Sequence, residues 1–514
     1  MTLESASVAL PAPRAHRRLP GTIRLTVPRS ATAAMAVAAA AVVPALGNQP
    51  LSWNEAVTLS AAQRTLPNLM TLLHQRDAPL GSYYALIHLW LATLHHVGIE
   101  PTATWLRLPS AIGAIGACGL LVVIGARWFD VRTALLAGAF LAVHPMLTFY
   151  AQDARPYALV TCAYLASTWA LLRALDRPTL LRMSCYGVLA TTTIYLHMFA
   201  IYALAAHVVL VAGARQARIR WAAVGAAVMI AAIPLFALAH GERAELGWIP
   251  RPTLAIVAAV TAHMFGGPAL IATILLVAAL AIRHGGLPRD RRALFLGVWL
   301  LVPVVALVAV DFVVPDLVAR YGLVSVPAAA LLVAAAAGRR QIKALAAVIL
   351  VVAAVTTGWQ QSRAFKYEDY RSAADAMGDL ARPGDAVMFF PISTRVGFEV
   401  YRATESDLRN VHDLAMLPGV LPTATGQLGG VDRPPAAISK IFQTAPTIFV
   451  LGDSMAQARR SLHDPTDVAQ QAALRGYRVS RSTRYGNLYL TVLQRGSATR
   501  ALVNSDGTSR SGVK

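Results

Sequence analysis

Long apolar runs broken by short basic clusters fill the first 360 residues, after which strand and helix periods alternate. Runs at 31–46, 83–97, 106–126, 132–149, 157–174, 180–197, 199–214, 221–240, 268–284, 292–310, 321–337 and 343–359 predict helices, most of them near the ~20 residues that a membrane span needs. Charge decides which of them cross. The clusters Arg127–Arg132, Arg173–Arg182, Arg215–Arg220, Arg283–Arg292 and Arg339–Lys343 lie between runs, and the positive-inside rule puts all five in the cytoplasm. A spanning helix at 83–97 would invert every later basic loop. Read instead as a helix lying on the outer face, it satisfies all five, and it is short for a span and carries His88, His95 and His96. Eleven spans follow, with the N-terminus inside and the chain after residue 360 outside.

The domain plan is a basic cytoplasmic N-terminus at 1–30, a transmembrane module at 31–360 with an outer loop at 48–105, and an outer α/β domain at 361–496. A Ser/Gly/Thr-rich tail at 497–514 reads as disordered. The arginine-bearing N-terminus is long for a cleaved signal and reads as an uncleaved approach to the first helix. A second outer loop at 241–267 carries Trp248 and Arg251, and its apolar stretch 253–265 reads as lying at the interface. In the outer domain Asp369–Ala381 predicts a helix, Ala386–Phe390 and Ala445–Leu451 predict strands, and Tyr477–Leu493 predicts a hairpin around Gly486-Asn487. The fold class is a polytopic α-helical membrane protein with a C-terminal α/β extracytoplasmic domain.

Composition agrees: 56% of residues are hydrophobic and 14% charged, which excludes a soluble enzyme. The net charge of +20 does not point to nucleic acid, because the basic residues mark topology between spans. Cys118, Cys162 and Cys185 lie in apolar runs and form neither a disulfide framework nor metal-ligand spacing. The runs carry no Asp or Glu, and basic residues only at their ends. An ion-coupled transporter holds ionisable groups at mid-depth, so this pattern argues against transport. The acidic residues gather at the outer surface instead: Glu55, Asp77, Glu100, Asp153, Glu242, Glu245, Asp311 and Asp316. That placement suits an enzyme whose site opens there and uses a carboxylate as general base.

Four stretches converge on that face: Trp53-Asn54-Glu55-Ala56, Arg76–Tyr84 with Asp77-Ala78-Pro79-Leu80, Arg107-Leu108-Pro109-Ser110, and Tyr150–Leu159 with Gln152-Asp153-Ala154-Arg155-Pro156-Tyr157. In this order they resemble the motifs of the GT-C integral-membrane glycosyltransferases. The resemblance is strongest to the branch of protein O-mannosyltransferases, lipid A aminoarabinose transferases and actinobacterial mannosyl- and arabinosyltransferases. Arg320-Tyr321 and Glu368-Asp369-Tyr370-Arg371 are similar to later features of that branch.

The resemblance implies a multi-pass plasma-membrane enzyme that moves a sugar, with inversion, from a polyprenyl-phosphate carrier to an extracytoplasmic glycolipid, polysaccharide or protein. Mannose is the sugar the branch favours, with arabinofuranose second, and the implied chemistry uses no metal or other cofactor. A carboxylate would deprotonate the acceptor hydroxyl, and arginine suits the departing phosphate because its fork holds two oxygens and stays charged. The family usually has Asp where this chain has Asn54. Glu55 is therefore the first candidate base, with Asp77 and Asp153 as alternatives. Arg155, Gln152, Tyr157, Arg107, Arg320 and Tyr321 are the candidates for holding phosphate and sugar. Two other readings compete: a non-catalytic scaffold built on a degenerate transferase core, and a lipid-linked sugar transporter or flippase.

Overall fold

The computed structural model describes residues 25–242, 249–283, 290–337, 340–402, 408, 411–454 and 465–495. Most of the basic N-terminus, the C-terminal tail, Glu245 and Trp248 lie outside these residues. The chain opens with α1 (Val27–Val42), and the first long loop then folds into α2 (Trp53–Ala62), α3 (Leu66–Gln75) and α4 (Gly81–His96). There follow α5 (Ala103–Trp128), α6 (Val131–Ala142), α7 (Pro145–Ala151), α8 (Tyr157–Asp176), α9 (Leu180–Leu196), and the short α10 (Ile201–Leu204) and α11 (His207–Val211). Helices α12 (Arg218–Gly241), α13 (Leu254–Met264), α14 (Pro268–Arg283), α15 (Arg291–Asp311), α16 (Val326–Ala336) and α17 (Arg340–Gln361) complete the bundle.

Among the described residues seven helices are long and apolar enough to cross a membrane, or up to nine if each bent pair counts as one span. Helix α4 is not among them. Its Tyr83, Tyr84, Ile87, Leu91 and Leu94 pack with α2 and α3 in a cluster separate from the bundle core.

Two runs expected as single elements are broken, and two expected as separate are joined by a sharp turn. The run 132–149 bends by 59° between α6 and α7, because Pro145 disfavours helical backbone at His144, whose ψ is 125°. The stretch expected at the interface, 253–265, is α13, and it turns by 83° into α14 at Gly266 and Gly267, with φ of 90° and 116°. The run 199–214 is split into α10 and α11 after a 3-10 turn, with no proline to mark it. At this break the His207 ring is held between Thr168 Oγ1 (3.0 Å) and Tyr186 Oη (3.2 Å). Small residues let the helices of the bundle core approach closely. A Cβ at Gly138 of α6 would lie 2.6 Å from Val122 and 2.9 Å from Ala34.

After α17 the chain forms α18 (Tyr370–Gly378), β1 (Ala386–Phe390), α19 (Arg395–Arg402), β2 (His412–Asp413), α20 (Pro435–Ile441), β3 (Thr447–Gly452), α21 (Pro465–Ala473), β4 (Tyr477–Tyr485) and β5 (Leu488–Arg495). The sheet order is β2-β1-β3-β5-β4, with β2, β1 and β3 parallel and β5 and β4 antiparallel. One face packs on α18 and α19, the other on α20 and α21. The second strand starts at Thr447 rather than Ala445, since Pro446 has no N–H to give the ladder.

The C-terminal domain is seated on the first loop by buried hydrogen bonds. Arg64 is buried, and its Nη1 donates to the carbonyls of Pro422 (2.8 Å) and Thr425 (2.6 Å) while Nη2 donates to Gln427 (3.0 Å). Leu51 N donates to Tyr401 Oη at 2.8 Å, and Trp53 Nε1 to the Ser393 carbonyl at 2.9 Å. A buried carbonyl left without a donor costs about 1–3 kcal/mol. Arg64→Met is therefore expected to loosen the 411–430 segment, so that limited proteolysis cuts there at least tenfold faster while the helical bundle stays intact. Unchanged cleavage would remove Arg64 from this role.

Candidate active site

Glu55 sits in the first turn of α2, where Ser52 and Glu55 form a reciprocal capping box. Its carboxylate is fully buried and receives Arg107 Nε at 2.6 Å and Nη2 at 2.9 Å. Ser52 N and Ala154 N add bonds of 3.0 Å each, and Lys366 Nζ stands 3.4 Å away. Burial pushes this carboxyl up, but Arg107, Lys366 and the hydrogen bonds outweigh it and hold the group far below the usual carboxylate range. Arg107, in the second turn of α5, also donates to the carbonyls of Leu46 (2.6 Å), Gln49 (3.0 Å) and Pro50 (3.0 Å). Both side chains are thus committed to holding the first loop over the bundle.

Lys366 joins this network from the segment that links α17 to the C-terminal domain. Its ammonium lies 3.1 Å from Asp153 Oδ1 and also donates to the Gln152 carbonyl. Asp153 is buried, and burial raises its carboxyl while Lys366 offsets part of the rise. Gln152 donates from Nε2 to the Val42 carbonyl at 2.9 Å, which fastens the loop before α8 to the end of α1. Two carboxylates and two cations therefore close a buried, charge-balanced cluster. The sequence reading missed Lys366. A signal was present: it is one of four lysines among 46 Lys and Arg residues, and it stands two positions before the Glu368–Arg371 feature.

A second cluster is arranged differently. Asp77 has φ of 61° and is the one non-glycine residue among those described with a left-handed backbone, a conformation that Asp tolerates better than most residues. It precedes the 3-10 turn Ala78–Leu80, yet its side chain makes no capping bond. Instead Tyr84 Oη donates to Asp77 Oδ2 at 3.0 Å. Arg155 donates to Tyr84 Oη at 3.3 Å and to Asn54 Oδ1 at 2.6 Å. Asp77 is half-buried. Nearby, Glu242 accepts from Ala78 N at 2.8 Å. The hydrogen bonds of Arg155 thus go to neutral oxygens.

Arg155 also lies close enough to Tyr157 and Tyr321 to act on them electrostatically, and these residues form an aromatic wall. Ring centroids of Tyr157 are 4.9 Å from Tyr150, 5.2 Å from His197 and 6.2 Å from Tyr321. The Arg320 guanidinium is 5.8 Å from the Tyr157 ring and 5.3 Å from the Tyr321 ring, at cation–π range. Among the sequence candidates the structure therefore groups Asp77, Arg155, Tyr157, Arg320 and Tyr321, together with Asn54. It places Glu55, Arg107, Asp153 and Gln152 in the loop-holding network beside them. Among the described residues no group of three or more His, Cys, Asp or Glu side chains could hold a metal ion.

No protein-family profile matches this sequence, and no curated protein matches it. Solved structures do. The chain is similar to ArnT from Cupriavidus metallidurans in the apo state, with TM-score 0.55 and 13% identity over 91% of this chain and 97% of that one. The same protein bound to undecaprenyl phosphate gives TM-score 0.52 at 13% identity, with the same coverage of both chains. The archaeal oligosaccharyltransferase AglB from Archaeoglobus fulgidus gives 0.49 at 11% identity, over 90% of this chain and 74% of that one. The fold is that of the GT-C membrane enzymes.

The buried network makes a test of its own. Breaking one partner of a buried ion pair typically costs about 3–5 kcal/mol, so Lys366→Met is expected to lower thermal stability markedly, with Lys366→Arg recovering part. The loss should depend on pH. A carboxyl raised in the folded state binds more protons folded than unfolded, so stability falls as pH rises from the ordinary aspartate range through the raised value. Without Lys366 the rise at Asp153 is larger, and the deficit of Lys366→Met should grow between pH 5 and pH 8. A pH-independent deficit would contradict this account of the cluster.

Proposed function

We propose that this protein is an inverting glycosyltransferase that takes a sugar from a polyprenyl-phosphate carrier and passes it to an acceptor hydroxyl outside the cytoplasm. The observation that carries the proposal is the pairing of a half-buried carboxylate, Asp77, with an arginine whose hydrogen bonds go to neutral oxygens, Arg155, beside an aromatic wall that holds Arg320. The GT-C fold shared with ArnT, one structure of which holds undecaprenyl phosphate, supports a lipid-phosphate donor. Mannose is the sugar we favour, with arabinofuranose second. The acceptor is a glycolipid, a polysaccharide or a protein, and the positive-inside pattern supports a plasma-membrane enzyme with its site and C-terminal domain extracytoplasmic.

In this reading Asp77, not Glu55, is the base. Each oxygen of Glu55 already accepts from Arg107 and from a backbone N–H, and its carboxyl is held too acidic to take a proton. Asp153 is occupied by Lys366. Asp77 accepts from Tyr84 at one oxygen, and the other is suited to draw the proton from the acceptor hydroxyl. The freed oxygen attacks the anomeric carbon, the bond from that carbon to the phosphate oxygen breaks on the opposite face, and the configuration inverts. The departing phosphate gains negative charge, which Arg155 and Arg320 would meet. Asn54 then has a purpose: an aspartate there would neutralise Arg155, whereas asparagine orients it and leaves its charge for the lipid phosphate.

The test is transfer of labelled mannose, and then arabinose, from the polyprenyl-phosphate sugar in membranes with matched expression. Asp77→Asn should lower turnover by about 10²–10⁴-fold without loss of folded protein. Arg155→Ala should raise the donor KM and lower kcat together. Glu55→Gln should reduce the amount of folded protein more than the turnover of what remains. Activity of Asp77→Asn within threefold of wild type would remove Asp77 as the base. No transfer by the wild type from either donor would favour the scaffold reading.

A further inference from the structure

The C-terminal domain has a groove of its own, of about 220 Å³, between the end of α18 and the face of the β4–β5 hairpin. The buried Leu490 and Val492 belong to its floor, and Asp379, Arg481, Thr483 and Tyr485 supply its polar and aromatic lining. Arg481 Nε donates to Thr483 Oγ1 at 3.3 Å. Among the described residues neither Arg481 nor Asp379 forms an ion pair. The groove thus combines an apolar floor with one acceptor-only group, one donor-only group, a hydroxyl and an aromatic ring. From this lining we infer that the groove is a subsite for a neutral saccharide. Such a ligand has an apolar C–H face for Leu490 and Tyr485, and hydroxyls that donate to Asp379 and accept from Arg481. An anionic ligand would meet the Asp379 carboxylate, and a purely apolar one would strand the charged rim.

The position of the groove gives it a role. Tyr485 is followed by the turn Gly486-Asn487, which lies on the linker carrying Lys366: Asn487 N donates to the Tyr367 carbonyl at 2.9 Å, and Asp369 N to the Tyr485 carbonyl at 3.4 Å. Gly486 has φ of 64°, and a Cβ there would come within 2.4 Å of the Tyr367 carbonyl oxygen, so the turn and the linker are in close contact. Lys366 in turn holds Asp153 beside the transfer site. From Tyr485 the groove follows β4 away from this linker as far as Arg481, about 14 Å at ~3.4 Å per residue. A chain of a few sugars lying in it would direct one end toward the transfer site. The subsite would therefore hold the acceptor glycan, a role that rests on the transferase reading although the binding itself does not.

The experiment uses the full chain in lipid nanodiscs and two neutral probes, α-1,6-linked mannotetraose and α-1,5-linked arabinofuranotetraose, followed by saturation-transfer NMR. At least one probe should receive saturation, and Asp379→Asn and Arg481→Ala should each reduce the signal at least fivefold. Both residues are exposed, and retention of the wild-type melting temperature would check that the variants are folded. In transfer assays with that tetrasaccharide as acceptor, the same variants should raise the acceptor KM about tenfold and change kcat less than twofold, and donor hydrolysis without acceptor should not change. Absence of saturation for both probes, or undiminished binding in the Asp379→Asn/Arg481→Ala double variant, would overturn the subsite. So would binding that requires an anionic oligosaccharide and vanishes in salt. If binding and its loss in the variants are seen while no donor is ever turned over, the transferase reading falls and the saccharide subsite stands.

Discussion

The arrangement depends on a carboxylate and a guanidinium that meet out of water. Glu55 and Arg107 share two hydrogen bonds at full burial, and bringing two charges into such a place costs several kcal/mol per ion, on the order given for real interiors. The cost is offset because no valence is left idle. The guanidinium reaches three carbonyls between the end of α1 and the start of α2, and the carboxylate takes backbone N–H groups from α2 and from the turn before α8. Segments up to a hundred residues apart are thereby fixed relative to one another. With Lys366 and Asp153 added, the cluster is charge-balanced, and the linker to the C-terminal domain becomes part of the same structure. The membrane module and the domain above it are joined through the foundation of the site.

The neighbouring cluster is bonded differently, its carboxylates acting on the cation from beyond hydrogen-bond contact. Where Glu55 and Asp153 are matched by Arg107 and Lys366, Arg155 is met by a phenol and an amide. With Asp77 and Asp153 acting on it only at a distance, a buried cation hydrogen-bonded to neutral oxygens is less fully compensated than one in a contact ion pair. Such an arrangement is retained most readily where a negative ligand completes it. The aromatic wall around Tyr157 and Tyr321 strengthens the argument, because low-polarity surroundings raise the attraction between Arg155, Arg320 and any anion placed between them.

How much of this was legible in the sequence follows from the range of each interaction. Periodicity and charge placed the apolar helices, the strand Ala386–Phe390 and the hairpin about Gly486-Asn487, because those depend on neighbours in the chain. The bends at Pro145 and at Gly266-Gly267 could have been read from the same local chemistry. The division of 199–214 could not, since its visible correlate is His207 bridging residues of two other helices. A carboxylate at the position of Glu55 looks the same in sequence whether it takes a proton or an ion pair. Its partner Lys366 is 311 positions away, and no pattern in a single sequence reports a contact at that separation.

At Asp77 the local geometry departs from the capping arrangement that the sequence would allow. An aspartate before Ala-Pro is a natural cap, and capping would have been a sufficient reason for its presence. The backbone at Asp77 is left-handed, however, and its carboxylate does not bond to the N–H groups it precedes. The residue bears the cost of that conformation without the usual return, and strain of this kind persists where the surroundings impose it. What the conformation achieves is direction: the carboxylate faces Tyr84, and through Tyr84 it is coupled to Arg155. A half-buried carboxylate and a buried arginine set on one short relay, with Glu55 and Asp153 sequestered beside them, is an arrangement that loop stability alone does not require.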